Sequence, residues 1–177
     1  VVTNSDNLAE RSKSYKNLSY GKINKFIHDD IGFNYRLPNI SAAMGLGQLE
    51  QIEEIINQKD RIYKRYSNNL KNISGLNIPK ITKHTTKFIM WVFNIYLDSK
   101  FKISRDSLVK FLSSNLIETR NGFVPINYQK CITEKYNVNE SDCPNANYIM
   151  DNGLYLPSGN NISNEEIDFV CEKIIES

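Results

Sequence analysis

The sequence predicts a mixed helix-and-strand chain. A polar, helix-bearing first part leads through a long helix into a compact α+β second part. Three observations predict it. From about Ile40 to Leu70 there is no proline, and Leu49, Ile52, Ile56, Tyr63, Tyr66 and Leu70 recur at spacings of three and four, the pattern of an amphipathic helix. The run Phe88-Ile89-Met90-Trp91-Val92-Phe93-Asn94-Ile95-Tyr96-Leu97 is rich in β-branched and aromatic residues and reads as a central strand. From Leu76 onward the order is strand, strand, helix, strand, loop, strand, helix, which is that of an α+β domain.

Composition bounds the answer. The 177 residues suit one ordinary domain or one and a half small ones, and 40% hydrophobic residues can build a core. Ten Tyr and eight Phe suggest aromatic packing at interfaces as well as inside. A formal charge of only +2, with no basic stripe, gives no electrostatic footprint for nucleic acid. Cys131, Cys143 and Cys171 are widely spaced and odd in number, so they form neither a metal pattern nor a disulfide framework and match a reducing cytoplasm. No apolar run approaches membrane-spanning length. The chain begins Val1-Val2-Thr3-Asn4 without an initiating Met, and these residues read as the tail of a strand whose earlier part is missing. That predicts a piece of a longer chain.

Taken in order, Asp6 can cap a short helix with Leu8 facing inward and Arg11, Lys13 and Lys16 outward. Asn17 to Lys25 is polar, contains Gly21 and reads as a loop. A polar, aromatic loop from His28 to Leu37 follows. Pro38 fixes its own φ and biases Leu37 towards extended geometry. Asn39 or Ser41 can cap the next helix. Ala42, Ala43, Gly45 and Gly47 leave part of that helix almost without side chains, so another helix, another subunit or a ligand is expected to approach it. Unbroken to Leu70, the helix would span about 45 Å at 1.5 Å per residue. Its polar face, with Glu50, Glu53, Glu54, Lys59, Asp60, Arg61 and Lys64, reads as solvated.

Asn72 to Lys87 is a connector with a short strand at Leu76-Asn77-Ile78. Ser104 caps a helix with Leu108, Phe111 and Leu112 inward, Asn115 ends it, and Ile117 to Arg120 begin a strand. Asn121 to Asn152 looks irregular, and Leu154-Tyr155-Leu156-Pro157 is a short strand stopped by proline. Ser163-Asn164-Glu165-Glu166 is a capping box ahead of a helix with an apolar stripe at Ile167, Val170, Cys171, Ile174 and Ile175.

The residues alone form no catalytic constellation. His28 and His84 are far apart in sequence with no nucleophile motif near either, and no Gly-rich phosphate loop follows a strand. The adjacent acids Asp29 and Asp30 read as a solvated turn. What remains is a loop with Asn34 and Arg36, able to hold an anion at the head of a helix, since a guanidinium suits a carboxylate or phosphate through its forked donors. A structural ion pair is the alternative for Arg36.

His28 to Glu50, read as H-x-x-I-G-F-N-Y-R-L-P-N-I-x-A-A-x-G-L-x-Q-L-E, closely resembles a signature of the sugar aminotransferases, the DegT/StrS group of fold type I pyridoxal-phosphate enzymes. Val1 to Arg11 resembles the family segment that follows the lysine holding the cofactor. Ile117-Glu118-Thr119-Arg120 and Gly153 to Gly159 resemble segments of the family's small domain. The resemblance implies an α/β fold overall. Residues 1–48 would be the end of the cofactor-binding large domain, 49–71 a bridging helix and 72–177 a small α+β C-terminal domain. It implies pyridoxal 5'-phosphate as cofactor and a homodimer with a shared active site, in which Asn34 reaches the cofactor phosphate of the neighbouring subunit. Arg36 would lie near the same pocket, facing an anionic group of the amino donor or the sugar nucleotide. Arg120 and His84 are further candidates for nucleotide-sugar contact. Gly122-Phe123 departs from the proline and aromatic that relatives often carry after Thr-Arg.

The lysine, the acid that pairs with the pyridine nitrogen and the ring-stacking aromatic belong to the family's N-terminal half, so no catalytic residue is assigned here and no metal is expected. The implied activity of the intact protein is transfer of an amino group from an amino acid, with glutamate expected, to a keto sugar nucleotide, with a lean towards a perosamine-synthase-like enzyme. These residues alone should not transaminate, because imine chemistry needs that amine and an electron sink. A dehydratase of the same family, and a non-catalytic remnant or dimerisation module, are the alternatives.

Overall fold

Apart from the side chain of Glu140, the computed structural model describes every residue except Lys25 and Asp29. These two, the last of the polar loop and one of the adjacent acids, lie outside the described residues. The chain divides into two compact units, Val1–Ile52 and Glu53–Ser177.

In the first unit, α1 covers Asp6–Lys16 and is capped by Ser5, whose Oγ accepts from the Leu8 amide at 3.5 Å. Asp6 is therefore the first helical residue and not the cap. Leu8 is exposed rather than inward, and α1 buries no residue. The chain then turns through Leu18 and Ser19, both at positive φ, and runs antiparallel to the loop that precedes α2, bridging Asn17 to Asn34 and Tyr20 to His28. The amides of Leu18, Phe33 and Tyr35 donate to Phe33 O, Tyr15 O and Lys16 O at 3.1, 2.6 and 3.0 Å. Gly32 makes this approach available, since a Cβ there would stand 2.2 Å from the Leu18 carbonyl carbon.

The helix α2 covers Asn39–Glu50. Pro38 holds the N-cap position and no side chain caps the turn, so neither Asn39 nor Ser41 takes the expected role; both are already helical. The helix does not run unbroken into α3, Ile52–Leu70. Gln51 leaves helical geometry at φ −104°, ψ 9° and donates to Gln48 O at 3.3 Å, a tightened last turn. Gly45 and Gly47 weaken the helix just before the break, at roughly 1 kcal/mol each relative to alanine.

The second unit holds the core. Its antiparallel sheet has the order β1-β2-β4-β3, from β1 (Leu76–Asn77), β2 (Phe93–Leu97), β4 (Gly153–Leu156) and β3 (Arg120–Asn121). Alternation sorts the faces. Phe93, Ile95, Leu97, Leu154 and Leu156 are buried against Ile62, Tyr66 and Leu70 of α3, Leu108 and Leu112 of α4 (Arg105–Ser114), and Ile167, Val170 and Ile174 of α7 (Asn164–Glu176). Tyr66 stacks on Phe93 at 4.7 Å and donates its hydroxyl to Pro157 O at 2.8 Å. Asn94, Tyr155 and Arg120 form one cross-strand row on the other face.

Several expectations change here. Only the second half of the Phe88–Leu97 run is a strand. The Trp91 carbonyl goes to the Lys59 ammonium instead of a ladder. The strand after α4 starts at Arg120, because the Ile117 amide turns back to Leu112 O at 2.9 Å to close that helix. The segment from Asn121 to Asn152 is not irregular: it carries α5 (Lys130–Tyr136), α6 (Pro144–Asn152) and two 3-10 turns. Ile175 is exposed, while the other four residues of the α7 stripe are buried. Among the described residues no helix is long and apolar enough to cross a membrane.

Candidate functional site

The loop Ile31 to Leu37 presents its side chains in alternation. Phe33 and Tyr35 stack at 5.3 Å, 10° apart, and line a cavity of about 730 Å³ with Val1, Val2 and Tyr15. That leaves Asn34 on the opposite side of the extended segment. Asn34 is exposed, its backbone is held by the bridge to Asn17, and among the described residues its carboxamide has no partner. Arg36, on the same side by alternation, lies over the Tyr20 ring at 5.8 Å and makes no ion pair among the described residues. His28 directs Nδ1 at Leu18 O at 2.5 Å, which requires the proton on that nitrogen. It serves as a brace for the loop. Tyr15 donates to Asp30 Oδ2 at 3.0 Å and accepts from Arg11 Nη2 at 2.9 Å, tying α1 to the loop.

The second unit has a different cavity, about 500 Å³, whose lining includes Arg120, Lys59, Trp91, Phe123, Tyr155 and Ser158. Arg120 stands opposite Tyr155 on neighbouring strands. Trp91 and Phe123 are nearly parallel, with ring centroids 5.7 Å apart, and Phe123 meets Tyr155 at 5.4 Å. Lys59 reaches across from α3 and donates to Trp91 O at 3.0 Å and Ser158 O at 2.7 Å. Burial holds its ammonium below the ordinary lysine range. Ser158 is buried, and its Oγ accepts from the Phe93 amide at 3.2 Å. Lys59 thus fastens the approach to β2 and the turn after β4.

Of the residues singled out from sequence, Asn34 and Arg36 lie together in the first unit and Arg120 lies in the second unit's cavity. His84 sits exposed on a turn closed by Thr82 and Thr85 and lines neither cavity. Lys59 and Arg61 do not belong to a merely solvated face, since Arg61 donates to Asn164 Oδ1 at 2.5 Å and Ile162 O at 2.6 Å. Lys59, Trp91 and Tyr155 escaped sequence reasoning as site residues. Only Tyr155 carried a signal, as the outward position between inward Leu154 and Leu156.

The sequence model described as the DegT/DnrJ/EryC1/StrS aminotransferase family matches residues 1–175. The chain belongs to that family. Among relatives of this DegT-family chain, GDP-perosamine synthase of Escherichia coli O157:H7 is 34% identical over 99% of the chain and 46% of its own length. GDP-perosamine synthase of Vibrio cholerae is 29% identical over 98% of the chain and 46% of its own length. A DegT DnrJ EryC1 StrS aminotransferase from Brucella abortus, solved by crystallography, superposes with a TM-score of 0.78, covering 98% of this chain and 44% of that one; at 24% identity it shows the shared fold. The chain spans a little under half the length of the relatives it matches.

Proposed function

We propose that the chain is the C-terminal part of a pyridoxal-phosphate-dependent nucleotide-sugar aminotransferase, which moves an amino group from glutamate to a GDP-linked 4-keto-6-deoxy sugar in the cytoplasm. The observation that carries this is the 34% identity to a GDP-perosamine synthase, sustained over 99% of the chain. Within it, residues 1–48 close the large cofactor-binding domain, 49–71 join the two domains and 72–177 form the small domain.

The residues present fit a phosphate at Asn34. An unpartnered, exposed carboxamide on a loop held by backbone bonds can donate an N–H to a phosphate oxygen. Pyridoxal phosphate, when bound, supplies the electron sink that lets an amino group change carriers. This chain's residues bind and orient. Asn34 holds the phosphate of the neighbouring subunit of a homodimer, which makes the active site shared. Arg36 takes an anionic group of donor or sugar nucleotide by its forked donors, and Arg120 and His84 contact the nucleotide sugar. The lysine, the ring-pairing acid and the stacking aromatic come from outside these residues, so the isolated chain is inactive.

The test is amino transfer from glutamate to the keto sugar nucleotide by the full-length protein, followed by mass spectrometry. The amino-sugar nucleotide and 2-oxoglutarate are expected. A dehydrated sugar, or no product with cofactor bound, would overturn the reading.

A further inference from the structure

Asn34 can hold a phosphate only if its backbone stays in place, and apolar packing does not keep it there. Among the described residues the first unit buries no hydrophobic side chain. Hydrogen bonds from α1 hold the segment instead, and Tyr15 makes two of them.

Tyr15 grips the loop at two points. Its main-chain oxygen accepts the amide of Phe33, the neighbour of Asn34, at 2.6 Å. Its hydroxyl donates to Asp30 Oδ2 at 3.0 Å. Asp30 Oδ1 accepts the Ile31 amide at 2.8 Å, so both oxygens of that carboxylate are engaged and its orientation is fixed. Ile31 and Gly32 lie between the two grips, and Gly32 allows the close approach to Leu18 there. A single grip would fix one point and leave the segment free to turn about it. Two grips fix its direction, and with it the side from which Asn34 projects.

Arg11, one turn back on α1, donates Nη2 to the Tyr15 hydroxyl at 2.9 Å. A hydroxyl that accepts from a cation donates its own proton more strongly, because hydrogen bonds in a chain polarise one another. The acceptor is a carboxylate, which makes the bond from Tyr15 to Asp30 charge-assisted. The one proton of the hydroxyl is engaged there, so Tyr15 has none to donate to a ligand.

We propose that Tyr15 is a positioning residue for the cofactor's phosphate: through Asp30 and the Phe33 amide it sets the direction of the segment 31–37 and so aims the Asn34 carboxamide. Tyr15 acts through Asn34 and makes no contact of its own with the phosphate. This role deepens the reading of Asn34 as the phosphate contact of a neighbouring subunit and rests on it. The alternative is a general brace for α1, which would lose stability on substitution with an effect on binding indifferent to Asn34.

The full-length protein, freed of cofactor, is titrated with pyridoxal phosphate and followed by cofactor absorbance. Tyr15→Phe removes the hydroxyl alone and should weaken binding about three- to tenfold, the range for one hydrogen bond. Asp30→Ala should weaken it at least as much. Neither change should weaken binding further once Asn34 is alanine, since residues that act through one contact are not additive. Hydrogen exchange of the cofactor-free protein gives a second readout. The Phe33 and Tyr35 amides should exchange faster in Tyr15→Phe, with β2 and β4 unchanged. Unchanged affinity in Tyr15→Phe, an equal loss with and without Asn34, or unchanged exchange at Phe33 would overturn the positioning role. Unchanged affinity in Asn34→Ala would remove the phosphate contact and this role with it. Amino transfer by the wild type together with additive losses would sink the positioning role alone. Non-additive losses without amino transfer would leave it standing and remove the proposed reaction.

Discussion

Leu116 holds a backbone angle, φ 60°, that its own side chain disfavours, and it is 96% exposed. It follows α4 in a Schellman motif: the Leu116 amide donates to Ser113 O at 3.0 Å and the Ile117 amide to Leu112 O at 2.9 Å. Ile117 and Leu112, both buried, supply the hydrophobic contact that accompanies such an end. The left-handed position between them suits glycine, since an L-residue there pays roughly 1–2 kcal/mol. Part of that returns on substitution as the greater freedom of an unfolded glycine. Leu116→Gly should therefore raise the denaturation midpoint by about 0.5–1 kcal/mol of stability. A lower midpoint would show that the leucine side chain contributes packing that outweighs the strain. Sequence placed the helix end at Asn115 but carried no trace of the strained residue after it.

Cys171 gives a pH dependence at the same scale. Burial pushes its thiol up from an ordinary value of 9.0 to about 11. The folded state therefore keeps the proton where the unfolded state loses it. The stabilisation is complete below pH 9 and is lost as pH rises through 11. Stability should fall across that window by roughly 3 kcal/mol, and Cys171→Ala should remove this part of the slope whatever its own cost in packing. Tyr66 is also raised by burial, so a residual decline at higher pH stays in the variant. Equal slopes for both proteins would rule the assignment out.

Among the elements, α7 is the one most fully legible in the sequence. Ser163 Oγ accepts from the Glu166 amide at 3.1 Å, and the Glu166 carboxylate accepts from the Ser163 amide at 2.7 Å. Ser163→Ala should cost about 1 kcal/mol, as such caps do. Ile174→Ala should cost roughly 2–5 kcal/mol, because Ile174 is 1% exposed and its loss leaves a cavity. An unchanged urea midpoint in either variant would refute the corresponding contribution. Ile175 fits the same spacing but faces solvent, since periodicity marks a stripe without marking where the core ends. By contrast α5 has neither a side-chain cap nor a buried residue, so no signal announced it. In α6 Pro144 stands at the first turn, where proline starts a helix as readily as it stops one. The early half of the Phe88–Leu97 run has strand composition, yet its Trp91 carbonyl is claimed by Lys59 from a helix far away in sequence. The loop of Asn34 could be singled out from sequence, whereas the Lys59 cavity depends on long-range packing that no local pattern records.

At the scale of the molecule the two units differ in kind. Every buried hydrophobic residue among those described lies at or beyond Ile62, in the second unit. Among the described residues the first unit buries only Ser19, while Ile40, Met44, Leu46 and Leu49 of α2 are exposed and nothing described stands within 4 Å of a Cβ placed on Gly45 or Gly47. A segment without its own apolar core cannot offset the conformational entropy of ordering it. Its backbone amides should therefore exchange with solvent orders of magnitude faster than those of β2 and β4, by the logic of local unfolding. Protection of α2 equal to that of β4 in this chain would contradict this. Docking of the remaining half of the proposed protein, or of a second copy, should restore protection to α2 first.

The same division fixes what these residues should do with the cofactor alone. The resemblance gives this chain one cofactor contact, Asn34, and that to a neighbouring subunit. One charge-assisted hydrogen bond contributes roughly 1.5–3 kcal/mol. A millimolar complex already needs about 4 kcal/mol. The isolated chain should therefore bind no pyridoxal phosphate specifically, and borohydride should fix none to a single lysine. Lys59 is the half-buried lysine with a lowered pKa, yet two carbonyls hold its ammonium, which leaves it ill suited as a free amine. In the full-length protein, Asn34→Ala should release cofactor more readily and lower the activity of a dimer, as measured by cofactor absorbance after dialysis. Mixing this chain with the N-terminal half of the proposed protein should restore binding. Stoichiometric, borohydride-stable cofactor on one lysine of the isolated chain would overturn both the fragment reading and the absence of a catalytic lysine from it.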